Sequence, residues 1–143
     1  MIRTAQFKDV PDIISFMKPT IEHSSRSGKI DETVLLNSVE SALSLPYMCA
    51  FVEEKDGVIC GVVSGVVSPS FFSKSLIATD VFFASTSGNG AFLYRRFIKW
   101  AKSFNSVEQI CFTNSFGDDR VDKIINRLGF KQVGGYHTME IEQ

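Results

Sequence analysis

Apolar residues recur along this chain at two spacings: the alternating or near-continuous runs of strands, and the three-to-four spacing of amphipathic helices. Residues 2–7 read as a short strand. Asp9 then serves as an N-cap, with Pro11 in the first turn and Asp12 at the third position. Val10, Ile13, Ile14 and Met17 form a helical stripe that Pro19 ends or kinks. Residues 24–29 are a loop. Asp31 caps a second helix carrying Leu35, Leu36, Val39 and Leu43 on one face and closed by Pro46. Three strands follow, at 48–53, 58–67 and 76–84, the first two joined by the hairpin signal Lys55-Asp56-Gly57 and the last two by the loop 68–74. Leu93, Phe97, Trp100, Ala101 and Phe104 lie at offsets of a single helix face, with Arg95, Arg96, Lys99 and Lys102 on the other side. Residues 107–113 read as a strand. A last helix starts at Asp118 or Asp119, carries Val121, Ile124, Ile125 and Leu128, and stops at Gly129. Residues 130–142 read as a final strand, broken by Gly134-Gly135.

The order β-α-α-β-β-β-α-β-α-β predicts an α/β fold, a mixed and mostly antiparallel sheet with helices on both faces. The strand-helix-strand passage through residues 90–104 implies a parallel crossover. No repeat, low-complexity segment or linker interrupts the pattern, so residues 1–143 are expected to form one domain.

Composition changes this picture little. The chain is 44% hydrophobic and 22% charged, ordinary for a globular domain, and its 13 Phe point to an aromatic interior. A net charge of −1, from 15 basic and 16 acidic residues, argues against a general nucleic-acid binder. No apolar run approaches a membrane span, and the N-terminus shows no signal-peptide pattern. Cys49, Cys60 and Cys111 lack metal-ligand spacing and read as reduced core thiols, which implies a cytoplasmic protein.

The candidate chemistry centres on residues 80–102. An apolar strand, Asp80-Val81-Phe82-Phe83-Ala84, feeds the small-residue turn Ser85-Thr86-Ser87-Gly88-Asn89-Gly90, which opens directly onto a helix. Such a turn leaves backbone N–H groups free at the positive end of the helix dipole and lets a ligand approach closely, so it is a place to hold a phosphate. Asp80, a carboxylate embedded in an apolar strand, is the candidate base: burial raises a carboxylate pKa and suits it to take a proton from an ammonium. Glu53 and Glu54 end a strand near the expected acceptor cleft, as a cation-binding pair or as a solvated one. His137 is on the final strand, and His23 ends the first helix in a cap-like place. Tyr94, off the main apolar stripe, reads as a surface ring.

In element order the chain resembles the GCN5-related N-acetyltransferase (GNAT) superfamily over nearly its whole length. Three stretches carry the resemblance: the strand, turn and helix of residues 80–104; Arg127-Leu128-Gly129-Phe130, similar to the family's K-L-G-F, followed by Val133-Gly134; and the hairpin segment 53–61. The segments 70–72, 77–80 and 100–102 look like phage and prophage members, for which the location would be the host cytoplasm. The resemblance implies acetyl-CoA as donor and an amine as acceptor. It places the CoA pyrophosphate on the N–H groups of Ser87, Gly88, Asn89, Gly90 and Ala91, and the pantetheine along the backbone of Val81, Phe82, Phe83 and Ala84. Asn114 and Ser115 stand where the family contacts the CoA arm, and turn formation explains them equally well. Two positions depart from the family pattern: Ser85-Thr86 replace the usual Arg-Gly, removing a cation, and Ile125 stands where many members carry a Tyr that protonates the leaving thiolate. Two rivals to acetyl transfer stay open, a non-enzymatic phage binding or virion protein and a phage modifier of nucleic acid. The acceptor, and whether the chain is a monomer or a homodimer, are not fixed.

Overall fold

The computed structural model describes residues 1–24, 29–114, 116–139 and 141. Its order is β1 (Ile2–Thr4), a 3-10 turn (Phe7–Asp9), α1 (Val10–Glu22), α2 (Glu32–Ser44), β2 (Met48–Lys55), β3 (Val58–Pro69), β4 (Leu76–Ser85), α3 (Gly90–Lys102), β5 (Val107–Cys111) and α4 (Asp119–Arg127). The five strands form one sheet in the order β1-β2-β3-β4-β5. Three pairs are antiparallel, and β4 pairs with β5 in parallel through the α3 crossover. This is the mixed sheet that the hydrophobic pattern predicts.

Alternation along the strands sends side chains to two separate cores. Cys49, Phe51, Val63, Ala78 and Phe83 face α3, where Leu93, Tyr94, Phe97 and Ala101 are completely buried. Ala50, Val52, Val62 and Phe82 face α1 and α2, against Ile13, Val39 and Ala42. Phe82 and Ala78 would share a face in a regular strand. They do not, because Val81 is an extra residue: Ser64 pairs with Phe82, and Gly65 pairs with Asp80. This bulge reverses the facing of β4 at its middle.

The local signals explain most ends. Asp31 accepts the Val34 N–H at 3.0 Å, as an N-cap should. Asp118 caps α4 through the Arg120 N–H. Asp9 does not cap α1. Its carboxylate accepts the Gln6 N–H at 2.8 Å and two bonds from Arg3 at 2.7 and 2.9 Å, joining β1 to the start of the helix. Pro19 neither ends nor interrupts α1, which runs on to Glu22.

Three expectations need correction. Residues 130–139 and 141 form no strand; they are coil, with Val133, Met139 and Ile141 highly exposed. Consecutive glycines at 134 and 135 weaken any ladder there, and β5 remains the sheet edge. Leu36 does not join the buried face of α2: it is exposed, and Ala42 takes that place beside Val39. Tyr94 is no surface ring. It has no exposure, stacks on Phe83 at 4.0 Å and packs tilted against Phe112 at 4.2 Å.

Candidate active site

The site begins where two parallel strands part. Pairing of β4 with β5 ends at Thr79 and Cys111. Beyond that point Asp80 to Ser85 run without a β5 partner, and a cleft of about 110 Å³ opens between them and residues 113–121. Val81, Phe82, Phe83, Ala84, Ser85 and Thr86 form one wall. Thr113, Asn114, Phe116, Asp118 and Arg120 line the other.

Asp80 stands at the apex of this V. One carboxylate oxygen accepts the Thr113 N–H at 3.0 Å and its hydroxyl at 3.3 Å; the other accepts the Tyr94 hydroxyl at 3.2 Å. The carboxyl thus bridges the parting strands and ties them to α3. Burial raises its pKa, against the partial opposition of the Thr113 and Tyr94 hydrogen bonds. The same burial, and the neighbouring Asp80 charge, hold the proton on Tyr94. Asp118, the other acid of the cleft wall, behaves oppositely: its ion pair with Arg120, at 3.0 Å, lowers its pKa.

The turn at the wide end of the cleft is built from inside the sheet. Glu53 is buried on the α3 face of β2. Its carboxylate accepts the Ser87 hydroxyl at 2.7 Å and the Asn89 side-chain amide at 3.2 Å. Ser87 Oγ in turn accepts the Asn89 N–H at 3.0 Å, and Thr86 is tied to the Cys60 carbonyl by its N–H and its hydroxyl. Glu53 therefore shapes the turn and does not face an acceptor cleft, and Glu54 pairs with Arg3 at 2.6 Å. An anion beside the start of α3 is also favourable to the helix dipole. Gly88 takes a φ of +83° with open space around its missing Cβ, so the outer surface of the turn is bare backbone. Gly90 is different: a Cβ there would meet Phe83 Cζ at 2.7 Å and Ile124 Cδ1 at 3.1 Å. Within the described residues, no protein acceptor is bonded to the N–H groups of Gly88, Gly90 and Ala91.

Other candidates sort by place. The Asn114 side chain bonds the Asp118 backbone and Asp122, so it organises the start of α4 while lining the cleft. Ser115 lies outside the described residues. His23 Nδ1 lies 2.7 Å from the Pro19 carbonyl at the end of α1, and His137 is exposed on the C-terminal coil. Arg95, Arg96, Lys99 and Lys102 do not line the cleft; Arg96 lies over the Phe51 ring at 4.3 Å. Ile125 does not line it either, and faces a separate cavity beside residues 130–136. Burial raises the thiol pKa of Cys49, to about 12, and also those of Cys60 and Cys111. Two residues that sequence reasoning missed do line the cleft: Tyr94, hidden by its offset from the main stripe, and Arg120. A cation in the first turn of α4, where the dipole disfavours it, was the available signal for Arg120.

The sequence matches no protein-family model and no curated protein. Its fold matches solved structures closely. A predicted acetyltransferase from Clostridium acetobutylicum, crystallised with acetyl-CoA, superposes with a TM-score of 0.78 at 15% identity, covering 98% of this chain and 95% of that one. The aminoglycoside acetyltransferase AAC(6')-Iy, in complex with a bisubstrate analogue of CoA and acetylneamine, gives 0.79 at 13%, covering 100% and 98%. A transcriptional regulator from Bacillus halodurans gives 0.76 at 18%, covering 99% of each. The chain has the fold of the GNAT acetyltransferases that its sequence resembles.

Proposed function

We propose that this protein transfers an acetyl group from acetyl-CoA to a primary amine by direct attack. The observation that carries the reading is the parting of β4 and β5 at Asp80, opening onto a turn whose outer face is bare backbone. The unpaired edge of β4, Val81 to Ala84, suits an extended pantetheine arm. Of the N–H groups expected to hold the pyrophosphate, those of Gly88, Gly90 and Ala91 suit it, while the Asn89 N–H is engaged by Ser87. Arg120, across the cleft, supplies the cation that Ser85 and Thr86 lack. Acetyl-CoA would bring the activated thioester.

In the reaction the amine nitrogen forms its bond to the acetyl carbon as the carbon–sulfur bond breaks, and the sulfur leaves with the electron pair. The ammonium has first lost one proton to solvent. The second nitrogen proton passes to Asp80 and from there to the departing sulfur, which restores the carboxylate. Of the two acids in the wall, Asp80 suits this role because its pKa is raised, whereas Arg120 keeps Asp118 ionised. Backbone N–H groups near Phe83 and Ala84 would polarise the carbonyl oxygen. Holding the amine beside the thioester supplies most of the acceleration. The raised thiol pKa values agree with a route that uses no cysteine nucleophile. Phage origin belongs to this proposal and rests on the sequence resemblance, and cytoplasmic location rests on the reading of Cys49, Cys60 and Cys111 as reduced thiols; among the described residues, no helix is long and apolar enough to cross a membrane.

The test is acetyl-CoA titration of wild type, Gly88→Asn and Gly88→Asp. Asn and Asp both tolerate a positive φ better than other side chains, so the pair isolates charge. Gly90 is unsuitable, because its packing against Phe83 would confound folding with binding. The expected order of affinity is wild type, then Asn, then Asp, weakest by far. Equal affinity of the Asn and Asp variants removes the turn from phosphate binding. A wild type that does not bind acetyl-CoA at all favours the non-enzymatic reading.

A further inference from the structure

We propose that the acceptor is a monoamine with an apolar body, and that polycations such as polyamines and aminoglycosides are excluded. This rests on the acetyl-transfer reading. On the far side of β4 from Asp80, a cavity of about 530 Å³ lies between α1, α2 and the sheet. Its size is in the range of small-ligand sites. Val81 and Phe82 line both this cavity and the cleft, so the β4 bulge is the partition between them. The body of the acceptor would lie in this cavity, and its nitrogen would reach past the bulge to the thioester on the Asp80 side.

The chemistry of the wall selects the ligand. Ile13, Met17, Val62 and Phe82 make its floor and sides apolar. The polar groups are neutral hydroxyls and one amide: Ser38, Ser41, Ser64 and Asn37. Among the described residues, no Asp, Glu, Lys or Arg lines the cavity. The acids of the neighbouring helix start are engaged elsewhere, Asp31 in capping α2 and Glu32 in an ion pair with Lys18. A monoamine must lose its charge to attack, so the cavity asks of it only what the reaction asks. A polyamine would carry further ammonium groups along a wall with no carboxylate, and those held against the buried floor of Ile13, Val62 and Phe82 would be uncompensated and heavily penalised. The apolar body, by contrast, gains from every methylene it buries.

The probes are n-butylamine to n-octylamine, phenethylamine, spermidine and neamine, with acetyl-CoA binding measured in parallel by calorimetry. The expected kcat/KM rises about fourfold per added methylene until the cavity is full, and spermidine and neamine are not turned over. Ser41→Phe, and independently Val34→Phe at the exposed rim, should move the optimum to shorter amines and leave acetyl-CoA affinity unchanged. Ser41→Asp should lower octylamine turnover and admit spermidine. Spermidine or neamine outperforming every monoamine in wild type, with normal acetyl-CoA binding, overturns the acceptor class and leaves acetyl transfer standing. Chain-length-dependent amine binding without acetyl-CoA binding supports the ligand class and overturns the transfer.

Discussion

The two faces of the sheet are packed in opposite ways. On the α3 face, rings pack in sequence, Phe83 stacked on Tyr94, Tyr94 tilted against Phe112 and Phe112 stacked on Phe130, with centroids 4.0 to 4.5 Å apart. Phe97, Leu93 and Tyr94 have no exposure at all. On the α1/α2 face the buried residues are mostly Ala and Val, and a cavity of about 530 Å³ remains. One sequence thus builds, around a shared strand, a face close-packed beneath α3, whose own cavity lies at its outer edge between β5, α4 and residues 128–136, and a face left hollow beneath α1 and α2. The dense face fixes whatever is attached to it, and attached to it are Asp80, through Tyr94, and the turn, through Glu53. The hollow face leaves room for a ligand. The Val81 bulge is the hinge of this division, because it turns Phe82 to the α1/α2 face although Ala78, four residues earlier, faces α3.

The largest effect is expected at the point where the dense face meets the cleft. Asp80→Asn should lower acetyl transfer by about two to four orders of magnitude, the range of a general base, with acetyl-CoA affinity nearly unchanged. Asn can still accept from Thr113, so a purely structural Asp80 predicts near-normal turnover in the variant. The stability readout has a definite sign. Burial raises the folded-state pKa, so the folded protein binds this proton more tightly than the unfolded chain. Wild type must then lose stability as pH rises from about 3.9, the unfolded carboxylate value, through the raised folded value. Asp80→Asn does not ionise, so its stability advantage over wild type should grow across that window. A flat difference between the two urea-denaturation profiles contradicts the buried-carboxylate assignment.

Next comes the packing contrast itself. Phe97→Ala removes a ring with no exposure from the dense face and should cost about 3–5 kcal/mol. Met17→Ala, on the wall of the hollow face, should cost about 1 kcal/mol. Equal losses in chemical denaturation would erase the distinction between the faces.

The hollow face depends on a polar anchor at its edge. Arg3 joins β1 to Asp9 and to Glu54, and its side chain is 21% exposed against 8% for Asp9. Arg3→Met should cost about 2 kcal/mol near neutral pH, the scale of hydrogen bonds to charged groups. The Arg3 hydrogen bond lowers the folded-state pKa of Asp9. That contribution is therefore present above about pH 3.9 and is lost as pH falls through the lower folded value. Arg3→Met should flatten the acid limb of the stability profile, and an unchanged limb assigns the acid sensitivity to another group.

How far the sequence disclosed this arrangement depends on whether the information was local. Helices and strands with strong periodicity were readable, as were the Asp31 cap and the Asp56-Gly57 turn, because each rests on neighbours in the chain. Asp80 and the turn 85–90 stood out for the same reason. Glu53 was misplaced, since only the register of β2 against β3 brings it under Ser87, 34 residues away. Tyr94 was misread because its partners, Phe83 and Phe112, come from two different strands or their ends. Asp9 has the sequence position of a cap, and Arg3 diverts it. The strand expected at 130–142 had the composition of a strand without a ladder partner that the chain itself orders. The neutral lining of the cavity was not legible at all, being assembled from α1, α2, β2, β3 and β4.

The smallest expected effect tests the cation across the cleft. Arg120 is highly exposed and holds Asp118 at 3.0 Å. If its guanidinium turns to a CoA phosphate when acetyl-CoA binds, it exchanges one exposed ion pair for another, and such pairs contribute little. Arg120→Ala should therefore raise KM for acetyl-CoA about threefold at low ionic strength, with kcat unchanged, and the difference should fade as salt screens it. Asp118→Asn gives the opposite arm. Asn still caps α4 but no longer competes for the guanidinium, so KM should fall by a similar factor. A KM that moves the same way in both variants would show that the two residues act only through the start of α4, and the cation of this site would then have to come from elsewhere.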